Sequence, residues 1–299
     1  MKIFITGGSG FIGTSLTLFL LDQGYRIIAT GTSAAPRSIS HHNYRYITAD
    51  TTKPGAWQNE LEDIDAVVNL AGRNIFKPWS DSYKKQIYDS RILTTRNLVE
   101  ALPGNRKIIL CNTSAAGYYG NRGDEVLLEN ASPGDDFLAK VCQDWEKEAF
   151  AAETKGVRVA AMRFSVVLGK NGGALAKMLP AFKFFAGGPL GSGQQWFPWI
   201  HLDDLMAAVV FILKNQDING PINFCTPGPV RHRDFAKALG SALSRPSFMK
   251  APGFMIRLIM GELGAALLSS QRILPDKLLK HGFEFQYPDI EQALRNLVL

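Results

Sequence analysis

A glycine-rich turn near the start of the chain places the strongest constraint on its fold. Three glycines at the spacing G-x-x-G-x-x-G separate a buried apolar run at 2–6 from a helical pattern at 14–23. Between a strand and a helix, such glycines allow a tight turn and bring backbone amides close to a pyrophosphate, which the helix N-terminus also attracts. We interpret the segment as a dinucleotide-binding loop rather than a flexible turn. Its predicted cofactor contacts are Gly7, Gly10, Phe11, Ile12 and Gly13.

Strand-like and helical patterns alternate along the first half of the chain. Alternation of this kind produces a parallel sheet with helices on both faces. We therefore predict an α/β fold with a Rossmann-like, doubly wound parallel sheet. The predicted strands are 2–6, 26–30, 44–48, 66–70, 107–113, 157–164 and 222–224, and the helices of this part are 14–23, 80–102, 137–154 and 203–214.

The pattern changes at Gly169. Glycines divide short apolar pieces there, an aromatic cluster at 196–199 has the character of a pocket wall, and later helical patterns cover 231–243, 253–269 and 289–297. We predict a second, smaller and mainly helical substrate domain. The predicted division is residues 1–168, with 196–226 returning to them, for the dinucleotide-binding domain, and residues 169–195 and 227–299 for the substrate domain.

Composition excludes several classes of partner. The formal net charge of +6 is not gathered into a basic run, so nucleic acid is not expected. The three cysteines are far apart without a C-x-x-C pair, which favours a reduced cytoplasmic setting and no metal site. We find no secretory signal and no apolar stretch as long as a bilayer span, and expect no membrane partner. Attachment of the apolar helix 253–269 to a membrane surface is a weaker alternative. A monomer or homodimer is expected.

The end of the second strand distinguishes NADP from NAD. An NAD-selective site commonly has an acidic residue there, which accepts a hydrogen bond from the ribose 2′-hydroxyl. This chain has Gly31, Thr32 and Ser33 instead, with Arg37 nearby. Hydroxyl groups and a guanidinium suit a 2′-phosphate. We predict NADP(H) in preference to NAD(H), with a solvated loop charge as the alternative for Arg37.

Further cofactor contacts are predicted where later strands end. Asp50 follows the third strand and can accept from the adenine amino group, although a helix N-cap is an equal alternative. Other predicted contacts follow the third, fourth and sixth strands, at the carboxyl edge where ligands of open α/β sheets bind. They are Thr51, Asn69, Leu70, Ala71 and Gly72, with Val167 lining the nicotinamide side.

Eight segments of the chain form further motifs. They are TGGSGFIG at 6–13, NLAG at 69–72, SRILTTRNL at 90–98, TSAAGYYG at 113–120, GGALAKMLP at 172–180, GGPLGSG at 187–193, WIHLDDL at 199–205 and LPDKLL at 274–279. Together they resemble the extended short-chain dehydrogenase/reductase superfamily, and more narrowly an atypical, epimerase-like subfamily of it. The resemblance covers essentially the whole chain. It implies a Rossmann-like domain with a smaller C-terminal domain, a bound nicotinamide dinucleotide and a nucleotide-sugar epimerase or oxidoreductase function, without a known substrate.

The resemblance also assigns catalytic roles. The superfamily uses a Tyr as acid or base, a Lys four residues later, a Ser or Thr that binds the substrate oxygen, and often an Asn. By this alignment Ser114 and Lys140 take the Ser and Lys roles, while the Tyr position falls on Asp136 and the Asn position on Arg91. An ordinary aspartate is ionised at neutral pH, so Asp136 could act only as a base.

Each candidate has a structural alternative. Ser114 could cap the end of its strand, and Arg91 could form a surface salt bridge instead of contacting the cofactor. Tyr118 or Tyr119 could supply the missing phenol from another backbone position, or could belong to the pocket wall. His201 between Ile and Leu is more often a packed core residue than a general base.

Two functions remain open at this point. The first is an NADP(H)-dependent epimerase or oxidoreductase that acts on a nucleotide-sugar-like or carbonyl substrate. The second is a non-catalytic NADP(H)-binding sensor, which the missing Tyr favours. Turnover of NADPH in the presence of candidate substrates distinguishes them.

Overall fold

The computed structural model describes residues 1–34, 39–104, 106–170 and 172–298. Seven parallel strands form the central sheet. They are β1 (Lys2–Thr6), β2 (Arg26–Gly31), β3 (Tyr44–Thr48), β4 (Ala66–Asn69), β5 (Ile109–Ala115), β7 (Arg158–Phe164) and β11 (Gly220–Phe224). Their order in the sheet is β11-β7-β5-β4-β1-β2-β3. This is the predicted Rossmann-like, doubly wound arrangement, and the prediction is confirmed.

Helices cover both faces of the sheet. Leu16 and Leu20 of the first helix and Leu205 of the fifth pack on one face, and Leu98 and Ala149 of the second and third pack on the other. Both layers are apolar because every central strand is buried on its two faces, as a parallel sheet requires. The helices are α1 (Phe11–Asp22), α2 (Asp81–Ala101), α3 (Phe137–Phe150) and α5 (Leu202–Lys214).

The later part of the chain forms a further hydrophobic cluster. Phe182, Phe197, Trp199, Phe235 and Leu294 are among its buried members. Among the described residues, no helix combines the length and apolar character needed to cross a membrane. The helices here are α4 (Gly173–Lys183), α6 (His232–Ala242), α7 (Gly253–Leu267), α8 (Asp276–Lys280) and α9 (Ile290–Val298), and the short strands are β6 (Val126–Leu127), β8 (Val166–Gly169), β9 (Trp196–Phe197), β10 (Trp199–His201), β12 (Val230–Arg231) and β13 (Arg272–Ile273).

Several helix boundaries differ from the sequence-based expectation, and two of the differences have a clear backbone cause. Helix α1 begins at Phe11 rather than at residue 14, because Gly10 has the extended backbone of an N-cap (φ −76°, ψ 173°). Helix α7 ends at Leu267 and is broken at Gly261, whose φ of 57° and ψ of −132° lie outside the helical region. A continuous apolar pattern does not reveal such a break.

Candidate functional site

The glycine turn after β1 brings backbone segments into close contact. Gly7 has a φ of +67°, and a Cβ at this position would lie 2.7 Å from the carbonyl oxygen of Leu70. At Gly13, a Cβ would lie 2.2 Å from the carbonyl oxygen of Gly7. Both positions therefore require glycine, one where the turn meets β4 and one where α1 meets the turn.

The start of α1 is open to an anion. Gly10 precedes the helix and offers no side-chain cap to its first amides, and its own amide donates to the carbonyl oxygen of Gly7 at 3.0 Å. Phe11 and Ile12, the first two helical residues, are half-buried. Unpaired amides at a helix N-terminus, after a turn with no side chains in the way, form a cradle that fits a pyrophosphate.

The end of β2 lies beside this turn. A Cβ on Gly31 would lie 2.7 Å from Ser9 Oγ, so only glycine allows the hydroxyl to approach the strand. Thr32 and Ser33 are exposed, and the Ser33 carbonyl oxygen accepts from the Tyr46 hydroxyl at 3.1 Å. Hydroxyl groups thus lie at the end of β2, and residues 31–34 of the sequence include no acidic side chain. Arg37, also predicted to contact the cofactor, lies outside the described residues.

Asp50 and Thr51 form the turn that follows β3. Asp50 is exposed, and its Oδ1 accepts from the backbone amide and the hydroxyl of Thr52, at 3.1 and 2.6 Å. Its carboxylate therefore stabilises a local turn, not the N-terminus of a helix. Thr51 is buried, with its Oγ1 3.0 Å from Thr94 Oγ1 on α2. Its side chain joins the turn to the helix.

Asn69 is fully buried in a polar network beneath the sheet edge. Its Nδ2 donates to Thr95 Oγ1 at 2.9 Å and to Asn112 Oδ1 at 2.6 Å, and its Oδ1 accepts from the Thr6 hydroxyl. Trp145 Nε1 also donates to Thr95 Oγ1, at 2.8 Å. The side chain of Asn69 thus holds the ends of β1, β4 and β5 and the helix α2 together.

Arg91 lies directly behind the segment that follows β4. A Cβ on Gly72 would lie 3.1 Å from the Arg91 guanidinium carbon, and the guanidinium is 5.2 Å from the Trp145 ring centroid. Arg91 Nη1 donates to the carbonyl oxygens of Arg73 and Ile87, at 3.2 and 3.0 Å. Burial lowers the pKa of Arg91 to about 10, so the group stays cationic at neutral pH.

Leu70, Ala71 and Val167 complete the predicted cofactor set. Leu70 and Ala71 are half-buried and contact the glycine turn through backbone atoms. Val167 is half-buried on β8, which leaves the main sheet after β7 and pairs with β10. The structure thus gathers the glycine turn, the segment after β4 and Arg91 around one sheet edge.

Ser114 participates in a buried ion-pair network. Its hydroxyl donates to Glu146 Oε1 at 2.7 Å. Arg163 of β7 donates to both oxygens of Glu146, through Nε and Nη2, each at 2.8 Å. Burial alone lowers the pKa of Arg163, but its hydrogen bonds to Glu146 and Tyr119 raise that pKa above the ordinary value. The Ser114 side chain has no exposed surface.

Tyr118 and Tyr119 have different surroundings. Tyr119 is fully buried, donates to Asn223 Oδ1 at 2.6 Å and accepts from Arg163 Nη1 at 2.9 Å. Burial raises the pKa of Tyr119 to about 12. Tyr118 is half-buried, and the Arg163 guanidinium carbon lies 3.5 Å from its ring centroid. Of the two phenols, only that of Tyr118 belongs to a side chain with exposed surface.

The residues that α3 turns towards the end of β5 are not the ones that the alignment suggests. Asp136 is its N-cap, accepting from the Ala139 amide at 2.9 Å, and Lys140 is exposed, 2.9 Å from Asp144 Oδ1. The residues that face the end of β5 are one turn apart and apolar. Leu138 approaches Gly117, and the Cys142 sulfur lies 3.8 Å from the Ala115 carbonyl oxygen. Lys140 therefore extends away from Ser114.

The segment at β13 contributes residues that the sequence reasoning missed. Gln271 Nε2 donates to the carbonyl oxygens of Ala116 and Gly120, at 3.0 and 2.9 Å, so β13 lies beside the turn that follows β5. Its neighbour Arg272 lies 4.8 Å from the Trp196 ring centroid, and its Nε is buried without a hydrogen-bond partner among the described residues. Arg231 lies 4.0 Å from the same centroid.

His201 belongs to the packed core. It is buried, stacks on Tyr287 with ring centroids 3.9 Å apart, and accepts from the Asp203 amide through Nδ1. Burial lowers the pKa of His201, which keeps the ring neutral. The core interpretation of this residue is therefore the one that the structure supports.

Comparison with protein families identifies two matching regions. The model of the NAD dependent epimerase/dehydratase family matches residues 3–225. A domain of unknown function, DUF1731, matches residues 251–297. The first match includes the glycine turn, the β5 segment and α3, and the second includes α7, β13, α8 and α9.

Individual proteins match over nearly the whole chain. The chloroplastic "epimerase family protein SDR39U1 homolog" of Arabidopsis thaliana is 41% identical, over 100% of this chain and 87% of its own length. "Epimerase family protein YfhF" of Bacillus subtilis is 35% identical, over 100% and 98%. A crystal structure of human epimerase family protein SDR39U1 with NADPH is 29% identical, covers 99% of each chain and has a TM-score of 0.86.

Proposed function

Because the chain belongs to the NAD dependent epimerase/dehydratase family, we propose that it is an NADP(H)-dependent, epimerase-like oxidoreductase. Its substrate is a nucleotide-sugar-like or carbonyl compound. The observation that carries this proposal is the glycine turn, where contacts at Gly7 and Gly13 exclude side chains from the amides at the start of α1. The human relative that was crystallised with NADPH supports the same cofactor.

The residues around the turn fit a phosphorylated dinucleotide. Gly7, Gly10 and Gly13 would hold the pyrophosphate, and Thr32 and Ser33 would hydrogen-bond the 2′-phosphate. The bound nicotinamide would supply or accept a hydride. Arg91 is a half-buried cation behind Gly72, and its charge would attract the anionic dinucleotide.

Tyr118 is our candidate for proton transfer. It follows β5 by three residues, its side chain retains exposed surface, and its ring lies against the Arg163 guanidinium. The network of Glu146 and Arg163 would fix the ring position, since both oxygens of Glu146 hold that guanidinium. Ser114 would then act through Glu146 as a positioning residue.

An anionic group on the substrate would suit the segment at β13. Arg272 has a buried Nε without a partner among the described residues. The guanidinium groups of Arg272 and Arg231 both lie close to the Trp196 ring. Arg231 is already paired with Asp124 at 2.8 Å. Arg272 is therefore the better candidate for a phosphate or carboxylate.

A non-catalytic NADP(H) sensor is the second candidate function. It is favoured by the apolar face that α3 presents to β5, where Leu138 and Cys142 are one turn apart. Burial raises the pKa of Cys142 to about 12, so its thiol is neutral and does not replace a lysine cation. In a sensor, cofactor binding would change a conformation rather than drive turnover.

The test uses two substrate classes, nucleotide sugars and neutral carbonyl compounds. NADPH oxidation is followed where the substrate has a carbonyl group to reduce. With nucleotide sugars, whose hydroxyl groups can only give up hydride, reduction of NADP⁺ and formation of an epimer are followed instead. We expect turnover, and a lower KM for the anionic substrates. Tyr118→Phe should lower kcat by roughly a hundredfold or more, because the proton donor is lost, while the NADPH Kd stays unchanged.

Tyr119→Phe is the matched control. It should cost about 1–3 kcal/mol of unfolding free energy, because Asn223 loses its buried donor, without a comparable loss of kcat. Tight NADPH binding without turnover on any substrate of the two classes would support the sensor and contradict the enzyme. Full activity of Tyr118→Phe would remove Tyr118 from the mechanism.

A further inference from the structure

The start of α7 and two neighbouring loops expose a cluster of large apolar side chains. Eight of the thirteen exposed large apolar residues among the described residues occur in three short segments, with exposures between 43% and 82%. We call this set the apolar patch. It consists of Phe184, Phe185, Phe248, Met249, Phe254, Met255, Leu258 and Ile259.

The three segments lie side by side. The Met249 amide donates to the Gly187 carbonyl oxygen at 3.1 Å, and the Gly191 amide donates to that of Ala251 at 2.8 Å. The second segment then continues into α7 at Gly253. On α7 the exposed positions 254, 255, 258 and 259 repeat at four-residue spacing and form one stripe, whereas Ile256 is buried on the other side.

Within the segments that form the apolar patch, every charged side chain is cationic. Lys183, Arg245, Lys250 and Arg257 are all exposed. Residues 180–193 and 244–261 contain no Asp or Glu. Glu262 at the border of the patch is paired with Lys84 at 2.7 Å, which ties α7 to α2. A surface that combines apolar side chains with an excess of cations is complementary to an apolar layer beneath an anionic one.

Phe185 is exposed although its backbone conformation is unfavourable for a bulky side chain. Its φ of 62° is in the left-handed region, which is strongly unfavourable for a bulky residue. Its ring is nevertheless exposed, with the Arg245 guanidinium carbon 4.9 Å from the ring centroid. The left-handed φ ends α4 in a helix-terminating turn, because the amides of Phe185 and Ala186 donate to the carbonyl oxygens of Phe182 and Ala181, at 3.0 and 2.8 Å.

We propose that the apolar patch docks on the interface of an anionic lipid bilayer, with the stripe of α7 inserted among the acyl chains and the four cations at the headgroups. This favours membrane attachment through helix 253–269, the weaker alternative from the sequence, over the expectation of no membrane partner. It is independent of the proposed function. A second copy of the chain is a poorer occupant, because a two-fold contact through the patch brings the same four cations against each other. The bilayer offers both apolar contact and opposite charge.

The test is flotation of the full-length protein with vesicles. One set contains phosphatidylcholine alone, and the other also contains phosphatidylglycerol. We expect binding to the anionic vesicles that is at least about tenfold stronger than to the neutral ones, and that weakens as salt is added, because each cation near the surface contributes on the order of 1 kcal/mol.

Substitutions locate the contact. Leu258→Glu should lower the partition coefficient at least about tenfold. The substitution removes a leucine that would insert among the acyl chains and adds an anion to the contact surface. Leu279→Glu, at an exposed leucine of α8 outside the patch, is the matched control and should bind as the unmodified protein does. Lys250→Gln should weaken binding roughly fivefold. Far-ultraviolet circular dichroism confirms that each variant is folded.

Three outcomes overturn the proposal. The first is the absence of binding to anionic vesicles. The second is binding that Leu258→Glu and Leu279→Glu change equally. The third is a concentration-dependent dimer, detected by analytical ultracentrifugation, that Leu258→Glu dissociates while vesicles remain unbound. In that case the patch joins two copies of the chain.

Discussion

Ser114 and Tyr119 carry hydroxyl groups of the type that a reductase needs, but each hydroxyl is already bonded inside the protein. Ser114 donates to Glu146 and Tyr119 donates to Asn223. The sequence indicated both residues because their types and their place after a strand fit the chemistry. It could not indicate their partners, which are 32 and 104 positions away in the chain and are joined to them only by folding.

Arg163 is a second residue whose partners could not be predicted from the sequence. A charged residue inside an otherwise apolar strand is a signal of a buried ion pair, since an unpaired buried charge is very costly. The pattern does not name the partner, Glu146, or predict that Tyr118 lies over the guanidinium. Such a signal predicts that a network exists without predicting its members.

His232 provides a test at the residue scale. It is buried, its Nδ1 accepts from the Leu190 amide at 3.3 Å, and burial lowers its pKa to about 4. The unfolded chain takes up this proton near the ordinary pKa of 6.5. The contribution of the neutral His232 ring to the free energy of unfolding is therefore complete above about pH 6.5. It is lost as pH falls towards 4, by roughly 1.4 kcal/mol per pH unit.

Urea unfolding of the protein and of His232→Gln measures this contribution. We expect the difference in unfolding free energy between the two proteins to shrink as pH falls below about 6.5. His42→Gln, at an exposed histidine, is the control and should leave the pH profile unchanged. A pH profile of His232→Gln that runs parallel to that of the unmodified protein would contradict the account of this residue.

At the scale of elements, the start of a helix determines which face its residues present. Helix α3 begins at Phe137, with Asp136 as its cap, and Lys140 consequently lies on the exposed face. The alignment that placed Asp136 and Lys140 in catalytic roles relied on their four-residue spacing. Leu138 and Cys142 have the same spacing, and only the packing of α3 on β5 distinguishes the two pairs.

Two substitutions at Asp136 distinguish a helix-capping role from a catalytic role. Asn caps a helix about as well as Asp but carries no charge, so Asp136→Asn should leave both stability and any turnover unchanged. Asp136→Ala removes the bond to the Ala139 amide and should cost about 1 kcal/mol of unfolding free energy. Thermal unfolding and the NADPH assay measure both. A large loss of turnover in Asp136→Asn with unchanged stability would show that the carboxylate is a catalytic base.

The contact between α1 and the glycine turn gives a second test at this scale. A Cβ at residue 13 would lie 2.2 Å from the carbonyl oxygen of Gly7, so Gly13→Ala must displace the turn. Overpacking of this kind costs about 1–3 kcal/mol of free energy. Because the turn must keep its conformation to bind the cofactor, we expect this cost to weaken binding and to raise the NADPH Kd roughly tenfold to a hundredfold.

Gly24→Ala is the matched control, because Gly24 has a φ of +80° at the other end of α1 and a Cβ there has no atom within 4 Å. It should lower the unfolding free energy by about 1 kcal/mol and leave the NADPH Kd unchanged. Isothermal calorimetry and urea unfolding measure the two effects. Equal NADPH affinity for Gly13→Ala and the unmodified protein would show that the turn does not hold the pyrophosphate.

At the scale of the whole molecule, the central sheet was predictable from the sequence and the later part was only partly so. Alternating apolar runs and helical patterns predict a parallel sheet because few connections are possible. The pairs β8 with β10, β9 with β12 and β6 with β13 are only two to four residues long and lack a periodicity of their own. Their partners are set by tertiary contacts. The division into two domains and the monomer or homodimer state stay predictions.

The central claim is that the glycine turn and the end of β2 bind a phosphorylated dinucleotide. Calorimetric titration of the full-length protein with NADPH and with NADH tests it most directly. We expect NADPH to bind at least about tenfold more tightly, because the residues that end β2 carry hydroxyl groups and no carboxylate. Failure to bind either dinucleotide, or tighter binding of NADH, would contradict the claim.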